Sequence, residues 1–153
     1  MKAAIFVVSA VVSGFCFADA PTASPKPGDA AVRPAEHDLT GSWTVRIENA
    51  RHQVVTTMTI RFVDEVASSC MGGQWKRVVV TSHTSSDEKF FPVTEPLSYE
   101  LTNDDIVIGR NEVCDAYLHL EGKIGGDAAR GEYIGFGLGG GKRRGFFSMT
   151  KGT

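Results

Sequence analysis

The chain has 153 residues, 17 of them glycine, with 16 Lys and Arg against 18 Asp and Glu. The slight acidity argues against general nucleic-acid binding, which needs a basic face to neutralise phosphates. Glycines scattered this densely leave little room for continuous helix, because each lowers helix stability by about 1 kcal/mol relative to alanine.

Lys2 is followed by an apolar and small-residue run with no acid before Asp19 and with small residues at Ala18 and Ala20. That arrangement predicts a secretory signal peptide over 1–18, with cleavage after 18 or after 20, and therefore a secreted or periplasmic mature protein. The run is short for a membrane span and is soon followed by proline-rich chain, so no transmembrane segment is expected after cleavage. Cleavage removes Lys2 and Cys16. Cys70 and Cys114 then remain in an oxidising compartment, and a disulfide between them is the expectation, with two free thiols or a metal pair as the competing reading. Residues 19–38 hold four prolines among Ala, Ser and charged residues and predict a disordered spacer, or alternatively an arm that orders on a partner.

From Leu39 onward the chain is long enough for one core, and its dominant period is two. Trp43, Val45 and Ile47 alternate with Thr44, Arg46 and Glu48, and Met58, Ile60 and Phe62 alternate with Thr57, Thr59 and Arg61. Further strand patterns occupy 75–82, 97–101, 105–110, 114–121, 129–137 and 142–150, joined by turn-rich stretches such as TNDD, EGKIGGD and GLGGG. A single helical turn near 63–69 is allowed. Eight short strands predict an all-β domain over 39–153: an antiparallel up-and-down barrel, closed so that no edge is left unpaired, with one disulfide.

The segment GFGLGG matches the glycine spacing of a dinucleotide-binding loop, but that loop needs a following helix and a βαβ frame. The chain ends too soon for either, and Gly139, Gly140 and Gly141 read as a hairpin turn. No cofactor is expected. The histidines at 37, 52, 83 and 119 lack metal-ligand spacing, and the stretch TSHTSSDEK around His83 only imitates a Ser, His and Asp set, without a nucleophile elbow. Asp104 and Asp105 are explained by turn chemistry. Neither catalytic nor metal-binding residues are assigned, and a non-enzymatic protein is expected.

GSW at 41–43 on the first long strand, with an arginine on the last, resembles the G-x-W and arginine pairing of the calycin superfamily of barrels, which includes lipocalins and avidins. The resemblance implies that Gly41, Trp43 and Arg143 or Arg144 form the seam where the last strand meets the first, a guanidinium lying over the indole. In size, export, single disulfide and early G-x-W, the chain is similar in format to bacterial periplasmic barrel inhibitors of secreted metalloproteases.

An eight-stranded barrel is either filled by its own side chains or holds one small ligand. The expected inward set, which includes Ile134 and Phe136 on the seventh strand, is crowded. That favours a packed barrel acting through its loops on a protein partner, as inhibitors and immunity proteins do. A carrier of a small apolar ligand and a structural envelope protein are the alternatives. Contact candidates are the loops 68–75 and 81–96 and the basic tip after the triple glycine. Phe90, Phe91, Tyr133 and Lys142 are the residues singled out, with the phenylalanine pair readable either as a partner's anchor or as a lid tucked onto the barrel mouth.

Overall fold

A computed structural model describes residues 37–153; the expected signal peptide and spacer residues 19–36 lie outside the described residues. The strands are β1 (Trp43–Asn49), β2 (Val54–Ala67), β3 (Trp75–Ser85), β4 (Leu97–Thr102), β5 (Asp105–Arg110), β6 (Tyr117–Gly125), β7 (Ala128–Gly137) and β8 (Gly140–Lys151). Each pairs antiparallel with the next, and β8 returns to β1 to close an up-and-down barrel. The region 63–67, where a helical turn was allowed, instead continues β2, and β3 runs on through His83 to Ser85.

Alternation sets what is inside. Val45 lies opposite Met58 on one side and Met149 on the other, and paired residues share a face, so all three enter the core together. Trp43, Val45, Ile47, Met58, Ile60, Ile106, Ile108 and Leu120 are wholly buried there. Each buried Val, Leu, Ile, Phe or Met side chain contributes about 1.5–3 kcal/mol, which makes this filled interior the main source of cohesion.

On β7 the expected phase is inverted. Tyr133 is fully buried, whereas Phe136 is 54% exposed and Ile134 only partly covered. The reason lies in the inward neighbour Gly135, where a Cβ would stand 3.0 Å from the Arg144 side chain. An inward site held by glycine carries no hydropathy signal, so the apolar pattern follows the wrong face.

The barrel is closed at both ends. At the end where β1 begins, Trp43 Nε1 donates to the Leu39 carbonyl at 3.2 Å, His37 lies 2.9 Å from Asp104, and Lys151 bonds both the carboxylate and the carbonyl of Asp38. His37 and Asp38, assigned to the spacer from sequence, are thus attached to the folded domain. Trp43, Phe62 and Tyr99 meet edge to face beneath this segment. At the opposite end the 86–96 connection folds inward, burying Phe91 and Val93. Arg110 holds that connection by a bidentate pair with Glu95, at 2.6 and 2.8 Å.

A second, smaller cluster forms on the outside. The β2–β3 connection, 68–74, lies against the outer face of β4 to β6. Gln74 N–H donates to Glu100, Ser68 N–H donates to Asn111, and Ser69 and Tyr117 share a hydroxyl bond. The expected disulfide Cys70–Cys114 fastens this flap to the β5–β6 connection. Trp75, Ser98, Tyr117 and His119 are on the outward phase of their strands and are nevertheless buried. Tyr117 crosses the bare backbone of Gly109, where a Cβ would stand 2.1 Å from its hydroxyl.

Candidate interaction site

The seam residue over Trp43 is Lys151, with Nζ 6.0 Å from the ring centroid, and not Arg143 or Arg144. Register explains the correction. Trp43 pairs with Lys151, whereas Gly145 pairs with Asn49 at the far end of β1, so the two arginines lie beyond the β1–β8 ladder. Gly41, at φ +86°, takes the left-handed backbone that favours glycine.

The arginines belong instead to the β7–β8 hairpin. Gly137 pairs with Gly140, whose φ of 89° only glycine adopts without strain, and Leu138 and Gly139 form the turn between them. Leu138 at the apex has no cover, and Phe136 behind it is half exposed. One residue further, the register slips: Tyr133 faces Gly145 and Ile134 faces Arg143, leaving Arg144 as the extra residue of a bulge. Bulges re-aim side chains, and here the result is that Arg144 lies toward the barrel mouth.

A cleft of about 590 Å³ opens between this hairpin and β6, lined by Ala116, Leu118, Gly135, Phe136, Gly137 and the three bases Lys142, Arg143 and Arg144. Arg143 is engaged on the outer face: it pairs with Glu132 at 2.7 Å and lies over Phe146, which stacks on His52. Among the described residues, neither Lys142 nor Arg144 has a carboxylate within 4 Å.

Arg144 is held from below. Its guanidinium lies 5.7 Å over the ring of Tyr133. The Tyr133 hydroxyl donates to the Phe90 carbonyl, and both Phe90 and Phe91 meet the same ring edge to face at 5.1 and 5.5 Å. Burial pushes the Tyr133 phenol up to about 12, against the opposing fields of Arg144 and Arg110. Phe90, Phe91 and Tyr133, singled out as contact candidates, therefore form the lid and the support of a cation, and Phe91 and Tyr133 are too deeply buried to touch a partner. Of the four candidates only Lys142 lines the cleft. Leu138 and Phe136 are the residues that sequence reading missed, the first because it counted as turn and the second because it was placed inside.

Each histidine has its own carboxylate neighbour: His37 with Asp104, His52 with Glu48, His83 with Glu88 and His119 with Glu121. His119 is buried beneath the flap, its Nδ1 unpaired, and burial pushes its pKa down while Glu121 opposes. No serine hydroxyl is bonded to His83 among the described residues, so the imitated triad is not assembled there. Among the described residues no group of three or more His, Cys, Asp or Glu is placed to hold a metal, and no helix is long and apolar enough to cross a membrane. Comparison with protein-family models, with curated proteins and with solved structures gave no match.

Proposed function

We propose that this is an exported, non-enzymatic binding barrel that acts on a protein partner from its β7–β8 end. The observation that carries the reading is a contrast. The interior is occupied by buried side chains, while the apex of one hairpin holds exposed Leu138 and Phe136 beside two bases that, among the described residues, have no carboxylate within 4 Å. Exposed apolar side chains rimmed by polar groups mark interaction sites. The Cys70–Cys114 bond supports the export inferred from residues 1–18, since disulfides persist in oxidising compartments. A cation from the closing strand over Trp43 supports a calycin-like seam, with lysine in the arginine's place.

Capture from periplasmic or culture fluid, followed by native mass spectrometry, tests the proposal. The expected result is a bare barrel that retains a discrete protein, with retention lost in Leu138→Glu. A barrel that carries a small apolar mass and retains no protein would make it a carrier.

A further inference from the structure

We infer that the cleft between β6 and the β7–β8 hairpin takes a carboxylate from an acidic peptide segment of the partner, with an apolar side chain beside it. The inference rests on the binding reading above and adds the chemistry of what is bound. Three features carry it.

The cleft has charge of one sign. Lys142 and Arg144 line it together, and neither has a carboxylate within 4 Å among the described residues; Arg46, Arg51, Arg61, Lys89 and Arg130 also lack one, so what sets these two apart is that they share one cleft. Arg143, the base between them, shows what an available acid does here, for Glu132 on the neighbouring strand has engaged it at 2.7 Å on the outer face.

The second feature is preorganisation. A free arginine loses side-chain entropy when it binds, whereas the Arg144 stem already lies across Gly135, and its guanidinium already lies over Tyr133. The lid residues Phe90 and Phe91 hold that ring in turn. A guanidinium presented in this way suits the two oxygens of a carboxylate, which it binds bidentately.

The third is shape. Leu118 and Phe136 give the cleft an apolar wall next to the bases. A polypeptide can present a carboxylate and an apolar side chain together to a cleft of about 590 Å³ lined by both bases and apolar residues. The net charge of −2 also gives the whole chain no long-range attraction to anionic lipid. A membrane is therefore an outcome of the test and not the proposal.

The test is a titration of the 15N-labelled protein with the blocked peptide acetyl-Leu-Glu-Phe-Glu-amide, its Gln-for-Glu counterpart and phosphatidylglycerol vesicles. The expected result is saturable shifts confined to Leu118, Gly135 and 142–144 with the acidic peptide. They should weaken about tenfold or more with the Gln peptide and in Lys142→Gln and Arg144→Gln, and recover partly in Arg144→Lys. Both glutamine variants alter exposed side chains, and their unperturbed core resonances would show that the fold is kept.

Equal responses to the Glu and Gln peptides, shifts elsewhere on the barrel, or binding to vesicles alone would overturn the inference. A protein captured through Leu138 with no carboxylate response in the cleft would overturn it too, while leaving the partner reading in place.

Discussion

Tyr133 connects three parts of the molecule: its ring carries Arg144, its hydroxyl ties the lid at Phe90, and its bulk fills the barrel beneath the mouth. Removing the hydroxyl in Tyr133→Phe leaves a carbonyl unpaired near the core and is expected to lower stability by about 1–3 kcal/mol, read as a fall in the urea midpoint. The pH dependence has a definite sign. The folded phenol titrates at about 12 and the unfolded one near 10, so the neutral form is favoured in the fold. Stability from this group is complete below about pH 10 and is lost as pH rises toward 12. Tyr133→Phe should flatten that alkaline fall but not abolish it, because burial raises Tyr99 and Tyr117 as well. An unchanged alkaline limb would contradict the buried phenol. His119 behaves in the opposite sense. Its folded pKa is depressed by burial, so its contribution is intact above about 6.5 and is lost as pH falls. His119→Phe is expected to remove part of the loss seen between about pH 6.5 and 5, before most carboxylates titrate.

The β2–β3 flap is the element that the sequence did not reveal. Its residues read as a long loop offered for contact, and its place on the outer face of β4 to β6 depends on contacts such as Ser68 with Asn111 that are 43 positions apart. Only the cysteine pair gave a signal, and it gave the bond without the geometry. Strands were legible wherever alternating apolar and polar residues stood on two faces, as on β1 and β2. The phase of β7 was not legible, because glycine holds an inward position and Tyr133, Ile134 and Phe136 are apolar on both phases. Arg143 and Arg144 were expected at the seam, but register, which is a property of the closed ladder, sends Lys151 to Trp43 instead. Replacing both Cys70 and Cys114 by alanine opens a loop of 44 residues and is expected to lower stability by about 4 kcal/mol in the chain-entropy account. The local effect should be separable. Reduction under native conditions is expected to shift tryptophan emission to the red by uncovering Trp75, and the shift should vanish in Trp75→Phe while Trp43 remains in the core. Emission that is the same oxidised and reduced would show that the flap stays down without its bond.

For the whole molecule, the two ends of the barrel differ. The end where β1 begins is sealed by 37–42 through the Trp43 indole bond to the Leu39 carbonyl, the Gly152 N–H bond to the Ser42 carbonyl and the Asp38–Lys151 pair. The other end has a lid that supports a cation, a cleft beside it and a hairpin whose apex is bare. Because the interior is occupied, a ligand-binding role for the barrel would require the core to be displaced, whereas contact at the hairpin requires no rearrangement. The most direct measurement is photo-crosslinking in the compartment to which the protein is delivered, with a photoreactive residue in place of Leu138 and, as the control, in place of the exposed Asp127 in the β6–β7 turn at the opposite end. A discrete protein adduct from position 138, absent from position 127, is the expected result. No adduct at 138, or the same adducts from both ends, would contradict a barrel that works from the β7–β8 end.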